Sequence, residues 1–502
     1  MFVYMKHAIK SDLIETINIA YENETQREVY GIENDNFENV KDEKQTKIRV
    51  LIMNSDYMGE FHKTLDLISE GEIGIYLYGK EDDEEQKQLY KLIDANEKIR
   101  ITPKDEIWRK ASHIELEPMD PIHRIEILNL KRNKENTTFE GKLDVYLKGD
   151  QLALINEISV EEYLCYVVPS EMPGNYPLEA LKAQAICART YAYAQMQEEA
   201  YPEFKAHVND SQEYQVYNNI DAKASTNLAV RETKDQILVT NDSELVKTYY
   251  YSTSCGRGSD ESIWGRAETE THLKSKRICR NAGEDDSICK IPCEDEIEAY
   301  ITGKQENDYE VNEPWYRWRC EVKKIDAKEL CERIKSRYQK NPEKILTQKD
   351  GTYISVEIQD FKEIRNLEIL KRGPGGITQE LLLETDQAVI KVLTEYNIRY
   401  VLNIGCVDIM RQDGMTIRSD HMLPSAFLYI DVFKDKKKIT GCIIYGGGFG
   451  HGVGMSQNAA KHMAQEGYDH LDILQFFYDG CRICRYEKQD MVVCNNALRS
   501  KD

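Results

Sequence analysis

An α+β fold of two lobes is predicted for this 502-residue chain from three features of its sequence. Short alternating apolar runs fill the part before residue 155. Two helix-spaced segments then flank a proline-bracketed loop at 169–174, and a glycine-rich strand-to-helix loop follows at 446–456. The length accommodates about two or three domains. Hydrophobic residues make up 41% of the chain, enough for a core, yet no run reaches the roughly 18 apolar residues of a membrane helix. No transmembrane segment is therefore expected. A net charge of −22, with Lys436–Lys438 as the longest basic run, argues against a nucleic-acid partner.

Residues 1–45 are polar, acidic and weakly periodic, and are expected to form a weakly ordered or satellite segment. The start MFVYMKHAIK lacks an apolar leader core, so no export signal is expected there. Residues 46–154 form a mostly-β region: the run at 47–53 and those at 73–78, 125–128 and 143–147 alternate and branch like strands. Ser159 and Glu162 make a capping box, predicting a helix that begins at Val160 and stops near Val168, because Pro169 disfavours a helical residue before it. A second helix is predicted from about Pro177, with Leu178, Leu181, Ala185, Ala188 and Ala192 on one buried face. The Lys/Glu-rich stretch near 294–350 reads as a helical insertion with solvated faces, and 491–502 as a tail. Thirteen scattered cysteines suggest buried free thiols rather than a disulfide framework.

Candidate chemistry falls in three places. Pro169 and Pro173 bracket Glu171, freezing the backbone on both sides of one carboxylate; a structural alternative is that Glu171 simply complements the dipole of the second helix. Arg189 sits among small apolar neighbours in that helix, where its charge requires an anion from either the protein or a ligand. The stretch YYYSTSCGRG at 249–258 predicts a strand delivering Ser252, Ser254 and Cys255 to a turn, which serves structure or substrate binding better than nucleophilic attack, since no base signature accompanies it. In YGGGFGHGVGMSQNAA at 445–460, six glycines within nine positions predict close backbone approach, and Ser456 is placed to cap a following helix. His451 within this loop is either a hydrogen-bonding orienter or a ligand or base. His272, Cys279, Cys289 and Cys293 are spaced at x6, x9 and x3, of which only the last suits structural zinc, so no metal site is expected.

Several of these blocks, in order, resemble the SpoIID/LytB family: EYLCYVVPSEMP (162–173), EALKAQAICARTYA (179–192), QVY (215–217), YYSTSCG (250–256) and GGGFGHGVGMSQNAA (446–460), with IRS (417–419) and LPSAF (423–427) resembling its late strands. The resemblance spans roughly residues 47–490 and implies a SpoIID-like catalytic region at 155–490. It implies a catalytic loop between helices that faces the glycine-rich loop in a shared groove, with Glu171 as the acid/base of a peptidoglycan lytic transglycosylase. It further implies substrate binding by Arg189, Gln215, Tyr217, Ser252, Ser254, Gly447, Gly448, His451, Gly452, Ser456 and Gln457. Zinc-binding relatives carry a cysteine pair just before QVY, whereas VNDSQEY (208–214) has none, so neither metal nor cofactor is implied. The implied partners are peptidoglycan glycan strands and a cell-wall amidase, and the implied location is the extracytoplasmic cell envelope. A non-catalytic, wall-binding amidase enhancer is the alternative function within the same family.

Overall fold

The computed structural model describes residues 46–57, 59–79, 87–132, 135–266, 270–280, 294–405, 407–487 and 491–493. The expected satellite segment 1–45 lies outside them, as does the tail beyond Val493. The chain is a mixed α+β protein that divides into two compact units. The first runs to Lys247 and resumes at Arg482; the second is Thr248–Cys481. The division is therefore not at residue 154, where the β region was expected to end. The reason is pairing: strand Gln151–Ser159 lies between Lys47–Leu51 and Lys142–Lys148 and leads straight into the first helix, tying the β region to the helical segment after it.

In the first unit a seven-stranded sheet runs in the spatial order Val208–Asn209, Lys47–Leu51, Gln151–Ser159, Lys142–Lys148, Ala111–Pro118, Ile73–Gly79, Lys87–Ile93. A four-stranded sheet carries Ile99–Ile101, Leu65–Ser69, Ile125–Arg132 and Glu135–Phe139. The alternation that predicted strands is the alternation that fills the core: Leu65 and Leu67, Ile125 and Ile127, and Leu143 and Val145 are fully buried. Among the described residues of this unit there are three α-helices: α1 (Val160–Glu171), α2 (Leu178–Met196) and α3 (Ala224–Glu232).

Helix α2 packs on α1, α3 and strand Gln236–Val239. It is enclosed on all sides rather than on the single face predicted, with Ala183, Gln184, Ile186, Cys187 and Thr190 buried besides Ala185, Ala188 and Ala192. Small alanines permit this, because they let neighbouring backbones come close around the whole circumference. The sheet beside it is closed by strand Arg482–Glu487, which pairs with Gln236–Val239 and also with Met491–Val493, so the tail expected from 491 begins as a strand.

The second unit holds two five-stranded sheets. One is ordered Thr416–Arg418, Asp408–Arg411, Trp318–Val322, Lys438–Gly446, Leu428–Asp435; the other Thr352–Ile354, Ile345–Lys349, Val389–Leu393, Thr378–Thr385, Ile364–Arg372. The stretch expected as a helical insertion does contain helices Glu294–Thr302 and Ala327–Lys340, but Trp318–Val322 between them is the central strand of the first sheet. Trp318, Cys320 and Val322 alternate inward and are buried, which the surrounding charge obscured. No helix among the described residues is long and apolar enough to cross a membrane.

Candidate active site

Ser159 Oγ accepts the Glu162 N–H at 3.2 Å and donates to its carboxylate at 2.7 Å, so α1 starts at Val160 as the capping box predicts. It does not stop at Val168. The helix continues through Pro169 to Glu171, even though the proline has no N–H to offer the Cys165 carbonyl. Two bonds hold this last turn: Ser170 Oγ donates to the Tyr166 carbonyl at 2.6 Å, and the Met172 N–H to the Val168 carbonyl at 2.8 Å. Ser170 Oγ also accepts the N–H groups of Asn219 and Ile220, both at 3.2 Å, pinning the loop opposite.

Glu171 thus stands in the C-terminal turn of α1 rather than at the start of α2. A carboxylate is disfavoured by the dipole at a helix C-terminus, so the alternative reading as a favourable dipole partner is set aside. Its Oε1 accepts the Val216 N–H at 2.8 Å. Burial of the carboxyl raises its pKa above the ordinary value, while the Val216 hydrogen bond favours the ionised form and opposes the rise. One proton-exchanging carboxyl, fixed at one oxygen and shifted toward its acid form, is what a general acid requires.

The other predicted residues of this unit are structural. Arg189 is fully buried, and its anion comes from the protein: Nε and Nη2 meet the two Glu161 oxygens at 2.6 and 2.8 Å. Its remaining donors go to the Val230 and Gln236 carbonyls and Thr233 Oγ1, which leaves nothing for a substrate. Gln215 is buried and bonded to Tyr163 and the Ala188 carbonyl. Tyr217 is buried beside the rings of Tyr163, Tyr166 and Phe139, and its hydroxyl donates to Asn156 Oδ1. All three are thus bonded to partners within the protein. Gln215 and Tyr217 hold the loop that supplies the Val216 N–H, and Arg189 ties α1 to α3 and strand Gln236–Val239.

In the second unit, the two distant motif blocks do meet. Tyr250–Tyr251 pairs in parallel with Met455–Ser456, and Thr253 exchanges backbone hydrogen bonds with Phe449 at 3.1 and 2.7 Å. The expected close backbone approach is real, but the approaching group is the chain itself. A Cβ on Gly448, at φ +80°, would lie 2.8 Å from the Thr253 carbonyl oxygen, and one on Gly454, at φ +74°, 2.0 Å from that of Tyr249. Gly447 is likewise filled by Cys255 and Gly452 by the Phe427 ring, so Gly447, Gly448 and Gly452 serve packing rather than ligand contact.

Reading the sequence missed the residue that binds these blocks. Glu310 is fully buried; its Oε1 accepts the Ser254 N–H at 2.9 Å and Ser456 Oγ at 2.8 Å, and its Oε2 accepts Ser254 Oγ. Ser456 therefore occupies the N-cap position of helix Gln457–Gln465 without capping it, its hydroxyl being drawn to Glu310. Ser252 is buried and bonded to Thr253 Oγ1, and Gln457 is buried in the first turn of that helix. His451 Nδ1 accepts the Val453 N–H at 3.2 Å, which leaves Nε2 to donate to the Tyr250 carbonyl at 3.0 Å. Burial lowers its pKa to about 4, so it is a neutral orienter of the loop rather than a base or ligand. Burial pushes the Cys255 thiol up to about 11, which excludes a thiolate nucleophile.

Burial raises the Glu310 pKa from 4.5 to about 8. The folded unit then binds this proton more tightly than the unfolded chain, so stability present below pH 4.5 is lost as pH rises through about 8. Glu310→Gln keeps an acceptor for Ser254 N and Ser456 Oγ. It is expected to flatten that decline, as read from denaturant midpoints across the window.

Of the residues considered for zinc, His272 and Cys279 are buried in the second unit, while Cys289 and Cys293 lie outside the described residues. Among the described residues no group of three or more His, Cys, Asp or Glu side chains is arranged to hold a metal. Eight described cysteines are free and buried, as expected, whereas Cys484 is in a disulfide.

The family model for the stage II sporulation protein, SpoIID, matches residues 148–239, the stretch that builds α1, Glu171 and the Val216 loop. Over this stretch the chain is similar to the SpoIID/LytB family. A second model, for a domain of unknown function (DUF8618), matches residues 261–454. Curated relatives of the chain include the amidase enhancer of Bacillus subtilis (strain 168), 27% identical over 331 residues, which is 64% of this chain. The match spans 40% of the amidase enhancer's own length. Stage II sporulation protein D of the same organism is 26% identical over 344 residues, 68% of this chain and 78% of that protein. An uncharacterized protein of Brachyspira hyodysenteriae is 26% identical over 355 residues, 70% and 73% of the two chains.

Proposed function

We propose that this protein is a peptidoglycan lytic transglycosylase acting in sporulation or cell-wall remodelling, with Glu171 as its single acid/base. The observation that carries the reading is the Glu171 carboxyl, clamped at one oxygen by the Val216 N–H and driven toward its protonated form by burial. Protonated Glu171 gives its proton to the glycosidic oxygen as the bond from C1 of muramic acid breaks. The resulting carboxylate takes the proton from the C6 hydroxyl as that oxygen bonds to C1 and closes a 1,6-anhydro ring. The acid is restored and no water is consumed. A second carboxyl, needed where water is the nucleophile, is not required. The nearby buried carboxylate Asp210 is in any case committed to Arg132.

Because the acid must start protonated, its raised pKa sets the alkaline limit of activity. The descending limb of kcat/KM against pH is expected above the ordinary glutamate value of 4.5. A limb at or below that value speaks against Glu171 as the acid.

A second reading, a wall-binding protein that stimulates an amidase, is favoured by the relative named amidase enhancer. Mass spectrometry of digested peptidoglycan separates the two: anhydro-muramic ends that vanish in Glu171→Gln support the lytic enzyme, and undiminished amidase stimulation by that variant, with no such ends in either protein, supports the enhancer. In either role the protein works at the cell wall, outside the cytoplasmic membrane, with glycan strands as partner.

A further inference from the structure

Within the first unit, one residue near Glu171 has a conformation and a side chain that its own packing does not account for. Tyr57 ends the 3₁₀ turn Ser55–Tyr57 with φ +56°, a left-handed conformation that a bulky side chain rarely adopts. The turn is held shut around it: the Tyr57 N–H donates to the Asn54 carbonyl at 3.1 Å, the Asn54 N–H to the Gly59 carbonyl at 2.8 Å, and the Gly59 N–H to Asn54 Oδ1 at 3.0 Å. The Arg132 guanidinium lies 4.2 Å from the centre of the Tyr57 ring.

Arg132 is itself fixed by the buried Asp210 and by the Met53 and Asn54 carbonyls at 2.7 and 3.1 Å. Asp210 accepts the Met53 N–H at 2.9 Å and opens the loop that ends in Val216, on Glu171. One bonded chain thus runs from the Tyr57 turn through Arg132 and Asp210 to the catalytic carboxyl. At the end of this construction the Tyr57 hydroxyl is buried with no hydrogen-bond partner among the described residues.

An unmet buried donor is costly, and strain of this kind persists where the surroundings over-determine it, most often at functional sites. We propose that Tyr57 is a second substrate-contacting residue beside Glu171, its hydroxyl donating a hydrogen bond to an acceptor oxygen of the N-acetylated glycan bound there. The inference rests on the reading of Glu171 as the site where glycan binds. Burial together with the Asp210 and Glu171 carboxylates raises the phenol pKa, so the group is a neutral donor and not an anion that would repel Glu171. Arg132 beneath the ring keeps it from turning away.

The test is binding of glycan strands stripped of stem peptides to the full chain, measured in Glu171→Gln, which does not turn over, and in Glu171→Gln combined with Tyr57→Phe. Removing the hydroxyl is expected to weaken binding about 10-fold, the worth of one well-placed hydrogen bond. The melting temperature should be unchanged or higher, because the lost group had no partner. Equal affinity of the two variants, or no glycan binding by either, overturns the proposal. Should the Phe variant melt lower, Tyr57→Gly relaxes the backbone at φ +56° and must show the same loss of affinity. Glycan digestion that survives Glu171→Gln removes Glu171 as the acid/base by itself and leaves the affinity comparison to decide the role of Tyr57.

Discussion

Glu171→Gln is expected to abolish 1,6-anhydro-muramic ends while leaving the fold intact. The glutamine carbonyl can still accept the Val216 N–H that the carboxylate accepts at 2.8 Å, so the last turn of α1 and the 216 loop stay in place. What is lost is the proton. General acid and base catalysis by one positioned group contributes about 10²- to 10⁴-fold, and here one group performs both halves of the reaction, so the upper part of that range is expected. Mass spectrometry of digested, peptide-free glycan reads the ends directly. Because burial disfavours the ionised carboxyl, the variant should unfold no more easily than the wild type at neutral pH, which separates a chemical defect from a folding one. Undiminished anhydro ends from the Glu171→Gln variant would remove Glu171 from the mechanism.

The largest effect on stability is expected from Arg189. Its guanidinium is fully buried at the junction of α1, α2, α3 and strand Gln236–Val239, and it gives bonds to Glu161, Val230, Thr233 and Gln236 at once. Arg189→Ala leaves Glu161 facing a void with no counter-charge and three backbone or hydroxyl acceptors unmet. Breaking a buried pair in this way costs about 3–5 kcal/mol, and since Glu161 keeps some access to solvent the lower end applies. Denaturant unfolding followed in the first unit measures it. Pairing Arg189→Met with Glu161→Gln should recover part of the loss, because the double replacement leaves no buried charge unpaired. A loss below about 1 kcal/mol for Arg189→Ala would return Arg189 to the pool of candidate ligand-binding residues.

How much of this could be read beforehand depended on whether the determining contacts were local. The start of α1 was legible because Ser159 and Glu162 bond to each other across three residues. Its end was not, because the last turn is held by Ser170 Oγ on the Tyr166 carbonyl and by the Met172 N–H on the Val168 carbonyl, contacts the proline rule does not include. Glu171 stood out through the prolines on either side. The glycine block announced a close approach, but only the tertiary pairing of Thr253 with Phe449 shows that the approaching backbone is the protein's own. Glu310 lies in an acidic stretch, NDYEVNE, that reads as solvated surface. Its burial depends on three donors contributed by residues 56 and 146 positions away, and no local pattern signals that.

Strand Arg482–Glu487 belongs to the first unit although the whole second unit precedes it in the chain. During synthesis the edge at Gln236–Val239 must therefore wait, uncovered, for about 240 residues to be translated before its neighbour leaves the ribosome, whereas the second unit is contiguous and is complete by then. Maturation of the half that carries Glu171 is the later event, so a nascent chain arrested before residue 482 is expected to hold a finished second unit and an unfinished, inactive first one.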